Sequence, residues 1–407
     1  MNSILPYADA RHKVIEVAGA LRRAPRRETI GIEQAFGRVL AREVRADRDY
    51  PPFDRSTRDG YAVRSADVAS PDARLACVGE LRAGGYFAGT VGPGECVEIM
   101  TGASVPAGAD AVVMIEHTRR DGRTITLDRF VPSGDHIVPR GSEARAGALL
   151  VAAGTRIGYA EMALAAQAGA TRLEVSAKPR VAILSTGDEV VDARAIPGPL
   201  QVRNSNGISI EVLAGTAGAE PIQLGNAPDE KVTLRREIAR GLDADVLVLS
   251  GGVSMGKYDL VEQVLGELGA EFHFTGVAIR PGRPAVFATC GGKLVFGLPG
   301  NPVSTMVTFE LFVLPAIDLL SGAMPRPLPI FRAKLLTPLH EKGPMTHFLP
   351  ARIEWEGREA RVSQLPWQGS GDIVALAQAN GFLVVGPERP EIAAGEWVDV
   401  LPRRGAI

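Results

Sequence analysis

Residues 245–259 read D-V-L-V-L-S-G-G-V-S-M-G-K-Y-D. A short apolar run ends in a glycine–serine loop, the loop ends at an acid, and an amphipathic segment at 260–268 follows. Parallel strand, phosphate-sized loop, carboxylate and helix, in that order, make an anion or nucleotide site at the carboxyl end of a strand. The same layout recurs at 181–189 and at 294–301. Three such loops in one region predict a single composite site for a phosphorylated ligand.

Working outward, residues 180–320 alternate strand and helix. Strands are predicted at 181–184, 221–224, 246–249, 285–288 and 294–296, and helices at 205–217, 229–240, 260–268 and 302–319. That alternation defines a doubly wound, three-layer α/β domain over 179–324. Asn301 and Pro302 suit a helix start, as cap and first-turn residue. Residues 46–135 change character: Gly84-Gly85, Gly92-Pro93-Gly94 and Asp121-Gly122 punctuate short alternating runs such as 111–115 and 124–127. They read as an inserted all-β domain. Residues 1–45 and 136–178 form a mixed α/β N-terminal domain around it, with helices predicted at 8–21 (capped by Asp9), 32–40 and 159–168. Residues 325–407 carry short runs at 331–336, 351–355, 382–385 and 397–401, separated by Pro and Gly, and read as a β-barrel-like C-terminal domain.

The 407 residues fit about three domains by length, and 45% apolar residues suffice for several cores. A net charge of −2 with no basic stripe argues against nucleic-acid binding. Cys77, Cys96 and Cys290 are far apart, which fits a reducing compartment and argues against a structural zinc site. Residues 1–12 hold no apolar signal core, and no run of about 18 apolar residues is present. The expectation is a soluble cytoplasmic protein.

Several motifs could carry chemistry. Gly251 and Gly256-Lys257 satisfy most of a phosphate-loop pattern, but Tyr258 stands where a small hydroxyl should meet magnesium, which disfavours an ATPase loop. Ser250, Gly251, Gly252 and Ser254 remain candidates to touch a phosphorylated ligand, or form a tight turn only. Asp188 and Glu189 are adjacent acids at a strand end, costly near an anion unless a cation intervenes; Asp188 acting as a cap is an equal alternative. Asp259 can hold a divalent cation too. Pro299, Gly300 and Asn301 open a helix with free N–H groups, a well-capped start or an anion cradle. Arg280-Pro281-Gly282-Arg283-Pro284 puts two permanent charges on a stiff turn, fit for an oxyanion or simply solvated. The polar loops at 51–61, with Asp54 and Asp59, and at 100–110 are by composition only loops. The six histidines are scattered, and neither G-x-S-x-G nor H-E-x-x-H occurs.

PPFDRSTRDGYAV, IMTGASVPAGADAVVMIE, LSTGDEVV, SGGVSMGKYD, IRPGRP and GLPGNPVS follow one another in this order. With these motifs the chain resembles the molybdopterin molybdenumtransferases, the group that includes bacterial molybdenum-insertion enzymes and the C-terminal region of gephyrin. The resemblance runs from about Tyr7 to about Val400. It implies a four-domain subunit working as a homodimer, with a site between the α/β domain of one copy and the Asp59 and Thr101 loops of the other. It implies magnesium-dependent insertion of molybdate into adenylylated molybdopterin with release of AMP. Arg280 and Arg283 would then meet molybdate, Asp188, Glu189 and Asp259 would hold Mg2+, and Asp59, Thr101, Glu143 and Glu189 would serve catalysis. Ser370 matches a C-terminal-domain position facing the same cleft. A molybdopterin adenylyltransferase is the implied substrate donor, and molybdoenzyme maturation proteins are implied partners.

The chain departs from the family pattern at named positions. Arg280 and Arg283 stand where lysines are preferred, Glu143 where an aspartate ends the N-x-R-x-x-G-E-D segment, Pro350 where an arginine is expected near Arg352, and Gly276 where some members carry lysine. These changes keep open a paralogue with altered oxyanion preference, or one that acts as a binding scaffold.

Overall fold

The computed structural model describes residues 4–22, 25–252, 260–341 and 343–404. They form two compact units, Ile30–Phe36 with Arg42–Leu173 in one, and Met1–Thr29, Gly37–Ala41 and Glu174–Ile407 in the other.

The smaller unit is built on a six-stranded sheet in the order Ala111–Met114, Gly60–Val63, Glu95–Ile99, Arg74–Leu81, Thr124–Leu127, Thr118–Asp121. Side chains alternate across it, as the two-residue period of a strand requires. Tyr61, Val63, Leu75, Cys96 and Ile125 bury on one face, and Ala62, Leu81, Val97 and Val112 on the other. The expected helix at 159–168 forms as Tyr159–Gln167. The one expected at 32–40 does not: Ile32–Gln34 is a single 3-10 turn. Gly37 takes a φ of 74°, which ends any helix the apolar spacing suggests.

In the larger unit the central sheet runs Glu220–Ala227, Arg180–Thr186, Val246–Ser250, Lys293–Leu298, Val286–Cys290, Glu271–Phe274. The first four strands are parallel. The last two are antiparallel, and Glu271–Phe274 is an edge strand that the sequence reading missed. Both faces are covered, so the strands are continuously apolar. Val181, Ile183, Val248 and Phe296 pack with Ile210, Phe312 and Val14. Ala182, Leu184, Leu249 and Val295 pack with Leu234, Ile238 and Val264. The first helix, Tyr7–Leu21, is capped at Pro6 rather than Asp9, which sits in its first turn where an acid suits the dipole.

The helix Pro302–Leu320 is by length and composition alone apolar enough to cross a membrane, but 83% of the window is buried within the fold. Its acids are paired: Asp318 is fully buried and meets Arg326 at 2.6 Å, and Glu310 takes both oxygens to Arg404 at 2.9 Å. It is a core helix. C-terminal to it, Thr346–Glu356, Glu359–Gln364, Phe331–Leu335, Trp397–Pro402 and Gly381–Val385 close into a five-stranded barrel, the last strand pairing back to the first. Ala351, Ile353, Val362, Leu383 and Val400 fill it. Ile279 and Arg280 add to the barrel edge beside Thr346 and His347, which carries the barrel to the arginine turn.

Candidate active site

The three loops singled out in the sequence emerge at the carboxyl ends of the strands Arg180–Thr186, Val246–Ser250 and Lys293–Leu298, which are neighbours in the sheet. They line one cleft of about 820 Å3 with Ser185, Thr186, Glu189, Asn206, Asp229, Ser250, Gly251, Gly252, Pro299, Gly300 and Asn301 on its walls. Gly251 and Gly252 have φ of 91° and 64°. A Cβ on Gly251 would stand 2.6 Å from the Thr186 carbonyl, and one on Gly252 2.6 Å from its Oγ1. Only glycine allows the turn to lie this close.

Asn206, not anticipated from the sequence, ties the loops together. Its Nδ2 donates to Ser250 Oγ at 2.9 Å and to the Gly300 carbonyl at 2.8 Å. Because a carbonyl only accepts, the amide is fixed in orientation and Oδ1 points away. Oδ1 and Thr186 Oγ1 are both buried and have no hydrogen-bond partner among the described residues. Buried polar atoms are normally paired, so these two are open to a partner in the cleft. Beside them, Ser185 Oγ donates to Asn204 Oδ1 at 3.0 Å, and Asn204 caps the helix Ser205–Ala217 through the Gly207 N–H.

The acids gather at one end. Asp188 Oδ1 accepts the Asp229 N–H at 3.0 Å. The Asp229 carboxyl is pushed up by partial burial and then by the charges of Asp188 and Glu189. Asp229 was also missed, because an acid ahead of a helix reads as a cap. Hard carboxylate oxygens suit magnesium, and a cation would relieve the repulsion that adds to burial in raising Asp229. Among the described residues no group of three or more His, Cys, Asp or Glu is close enough to hold a metal by itself. An ion here needs water and substrate phosphates to complete its shell. Asp259, Ser254, Lys257 and Tyr258 lie outside the described residues.

A second cavity, of about 500 Å3, adjoins the first and is lined by Arg280, Arg283, Ser304, Trp367 and Ser370. Pro284, Pro299, Asn301 and Gly371 line both. Arg280 and Arg283 are exposed, and neither forms an ion pair with a described residue. Asn301 holds the shared wall differently from the expected cap: its side chain makes no capping bond. Its Nδ2 donates instead to Ser370 Oγ at 2.7 Å. Gly276 is buried against Ile4, and a Cβ there would lie 3.2 Å from Ile4 Cγ1, so a larger side chain needs Ile4 to shift by a few tenths of an ångström. Arg352 lines neither cavity; it donates to the Gln378 carbonyl at 3.3 Å.

The smaller unit gathers its own motif loops. Asp59 Oδ1 accepts the Thr101 N–H at 2.6 Å, and this bond holds the Asp59 carboxyl below the usual carboxylate range. Asp54 Oδ1 accepts the Arg140 N–H at 2.8 Å. Glu143 pairs with Arg55 at 3.2 Å. The 51–61 run thus lies between the loops at 100–105 and 136–143, and Asp59 meets Thr101 while Glu143 lies farther along.

A mostly parallel α/β sheet with a cleft at its strand ends, divided into an amide-rich and an arginine-lined part, is the layout on which phosphorylated ligands are commonly bound. Comparison with known proteins narrows the class. Residues 5–169 match the MoeA N-terminal region (domain I and II), 182–319 the probable molybdopterin binding domain, and 332–402 the MoeA C-terminal region (domain IV). Relatives named molybdopterin molybdenumtransferase from Nostoc sp. and Bacillus subtilis are each 35% identical to it. The first match covers 92% of this chain and 88% of the relative, the second 92% and 89%. The crystal structure of the molybdopterin biosynthesis moeA protein from Pyrococcus horikoshii OT3 matches at a TM-score of 0.83 and 26% identity, over 98% of this chain and 100% of that one. The chain belongs to the molybdopterin molybdenumtransferase family, a transferase family of molybdenum cofactor biosynthesis.

Proposed function

We propose that this protein transfers molybdenum from molybdate to adenylylated molybdopterin, in a magnesium-dependent reaction that releases AMP. The observation that carries this reading is the divided cleft: a nucleotide-sized cavity opens into an arginine-lined one across a single shared wall. A phosphorylated heterocycle and a tetrahedral dianion are the two ligands such a pair of cavities suits.

In this reading Arg280 and Arg283 collect molybdate, because charge-assisted bonds to a dianion need no second partner from the protein. The amides of the Gly251–Gly252 and Pro299–Asn301 turns approach the substrate phosphates. Asn206 Oδ1 accepts an N–H of the substrate and orients the heterocycle before any bond breaks. Magnesium at the acidic end formed by Asp188, Glu189 and Asp229, with Asp259, water and the substrate phosphates completing its shell, would supply the charge that neutralises the departing AMP. A homodimer belongs to the reading, with Asp59, Thr101 and Glu143 serving catalysis, a molybdopterin adenylyltransferase as donor, molybdoenzyme maturation proteins as recipients, and the cytoplasm as the compartment.

The test is direct. Purified protein, adenylylated molybdopterin, molybdate and Mg2+ should yield AMP and molybdenum cofactor; no AMP above a protein-free control overturns the proposal. Mixing Asp59→Asn with Arg280→Ala protein tests the dimer, since sites shared between copies regain part of the activity that each variant has lost.

A further inference from the structure

The cysteines that look isolated in the sequence are not all isolated in the fold. Cys77 and Cys96, nineteen positions apart, are direct register partners on the parallel strands Arg74–Leu81 and Glu95–Ile99. Both side chains sit on the same face of the sheet, in the cluster with Tyr61, Val63, Leu75 and Ile125. Cys96 is fully buried, Cys77 is half-buried, and both thiols are free. We propose that Cys77 and Cys96 form a reversible oxidation site that closes an intramolecular disulfide across these two strands.

Adjacent strands lie about 4.8 Å apart, inside the Cα separations of about 4.4–6.8 Å that a disulfide spans. Neighbouring Cβ atoms on parallel strands keep roughly that spacing, more than the ~3.8 Å a relaxed disulfide prefers. The register shift between Cys77 and Gly79 gives the strand slack to close the gap. Residual strain makes the bond easy to reduce, so it opens in a reducing environment and closes when small disulfides accumulate.

The chemistry balances with a small-molecule disulfide as oxidant. The accessible Cys77 thiolate attacks one of its sulfurs, forming a mixed disulfide and expelling one thiolate. Cys96 then attacks the Cys77 sulfur, and the second thiolate leaves. Two electrons reduce the oxidant, and the two cysteine protons end on the released thiols. Burial, then the neighbouring Cys77, pushes the Cys96 thiol up to about 12, so the second step is slow and accelerates with pH. The cross-link has a local consequence. The strand Glu95–Ile99 feeds directly into Thr101, whose N–H holds Asp59.

The full-length protein, incubated with excess oxidised glutathione at alkaline pH, quenched and denatured, reads this out. Free thiols should fall from three to one, since Cys290 alone is left. Peptide mapping should find Cys77 joined to Cys96, and dithiothreitol should restore all three. Cys96→Ser should stop at a glutathione adduct on Cys77, and Cys77→Ala should keep Cys96 unmodified. Three free thiols in the wild-type chain, or a stable adduct on Cys77 with Cys96 still free, overturns the proposal. Mapping of the wild-type chain decides the matter even if a variant fails to fold.

Discussion

The two cavities of the cleft share a wall but are built on opposite principles. In the larger one the amide-rich wall is fixed by the protein itself: Asn206 is tied to Ser250 and Gly300, and Ser185 to Asn204. Left over away from its acidic end are two small neutral groups, the Asn206 Oδ1 and Thr186 Oγ1. In the smaller one the two guanidiniums stand without a described ion-pair partner, on a proline-rich turn anchored at Arg280 to the barrel edge. A heterocycle is recognised by a few fixed directions, so pre-paired groups serve it. A dianion brings its own charge, so cations kept open for it lose nothing to internal pairing. Recognition by geometry and recognition by charge should therefore respond differently to mutation.

The largest effect is expected at the arginines. Arg280→Ala and Arg283→Ala should each weaken molybdate about 10- to 100-fold, from charge-assisted bonds of about 1.5–3 kcal/mol. AMP affinity, measured by calorimetry, should stay within about twofold. Equal losses for both ligands would break the comparison. Next, Asn206→Ala strips the Gly300 carbonyl of its donor, a loss of about 1–3 kcal/mol. It should lower Tm and weaken AMP or pterin binding, while the molybdate KM of the folded fraction is unchanged.

Asp229→Asn tests the acidic end of the larger cavity. Half-saturating magnesium should rise about tenfold, from one lost ligand worth roughly 1.4 kcal/mol. Without metal the variant should be as stable as the wild type or more so. The sign follows from the raised carboxyl: the folded state holds its proton to higher pH than the unfolded chain does, so this contribution to stability is lost as pH rises through the folded pKa. Thermal melts across that range should fall less for Asp229→Asn than for wild type. The smallest effect is expected for Asn301→Ala, which removes the shared-wall bond to Ser370, about 1 kcal/mol. The KM values of both substrates should rise together by about fivefold; movement of only one would show that the wall serves a single cavity.

The sequence made the α/β core readable because both faces of its sheet are covered, leaving unbroken apolar runs such as Val181–Leu184 ahead of glycine loops. The barrel was readable from its short, punctuated runs, although not its closure, which depends on a pairing of distant strands. The 32–40 segment misled because Ile32, Ala35, Val39 and Leu40 repeat at helical spacing, and one left-handed glycine outweighs that pattern. Arg280, Glu189, Asn301 and the glycine turns were legible as cleft residues because the chemistry sits in the loop that names it. Asn206 and Asp229 were not, since a polar residue at a helix start has an ordinary local explanation. Cys77 and Cys96 were read as unrelated for the same reason: strand adjacency is a property of the sheet and leaves no mark in spacing.

The apolar helix Pro302–Leu320 has a consequence before folding begins. Before it is buried, this segment has by length and composition alone the make-up of a stretch that can cross a bilayer. A charged residue near the middle of such a stretch costs roughly 2.5–3.5 kcal/mol to insert, and Glu310 occupies that position. Its partner Arg404 lies 94 positions downstream. While ribosomes are still extending the polypeptide, an unneutralised carboxylate biases the segment toward water and away from lipid.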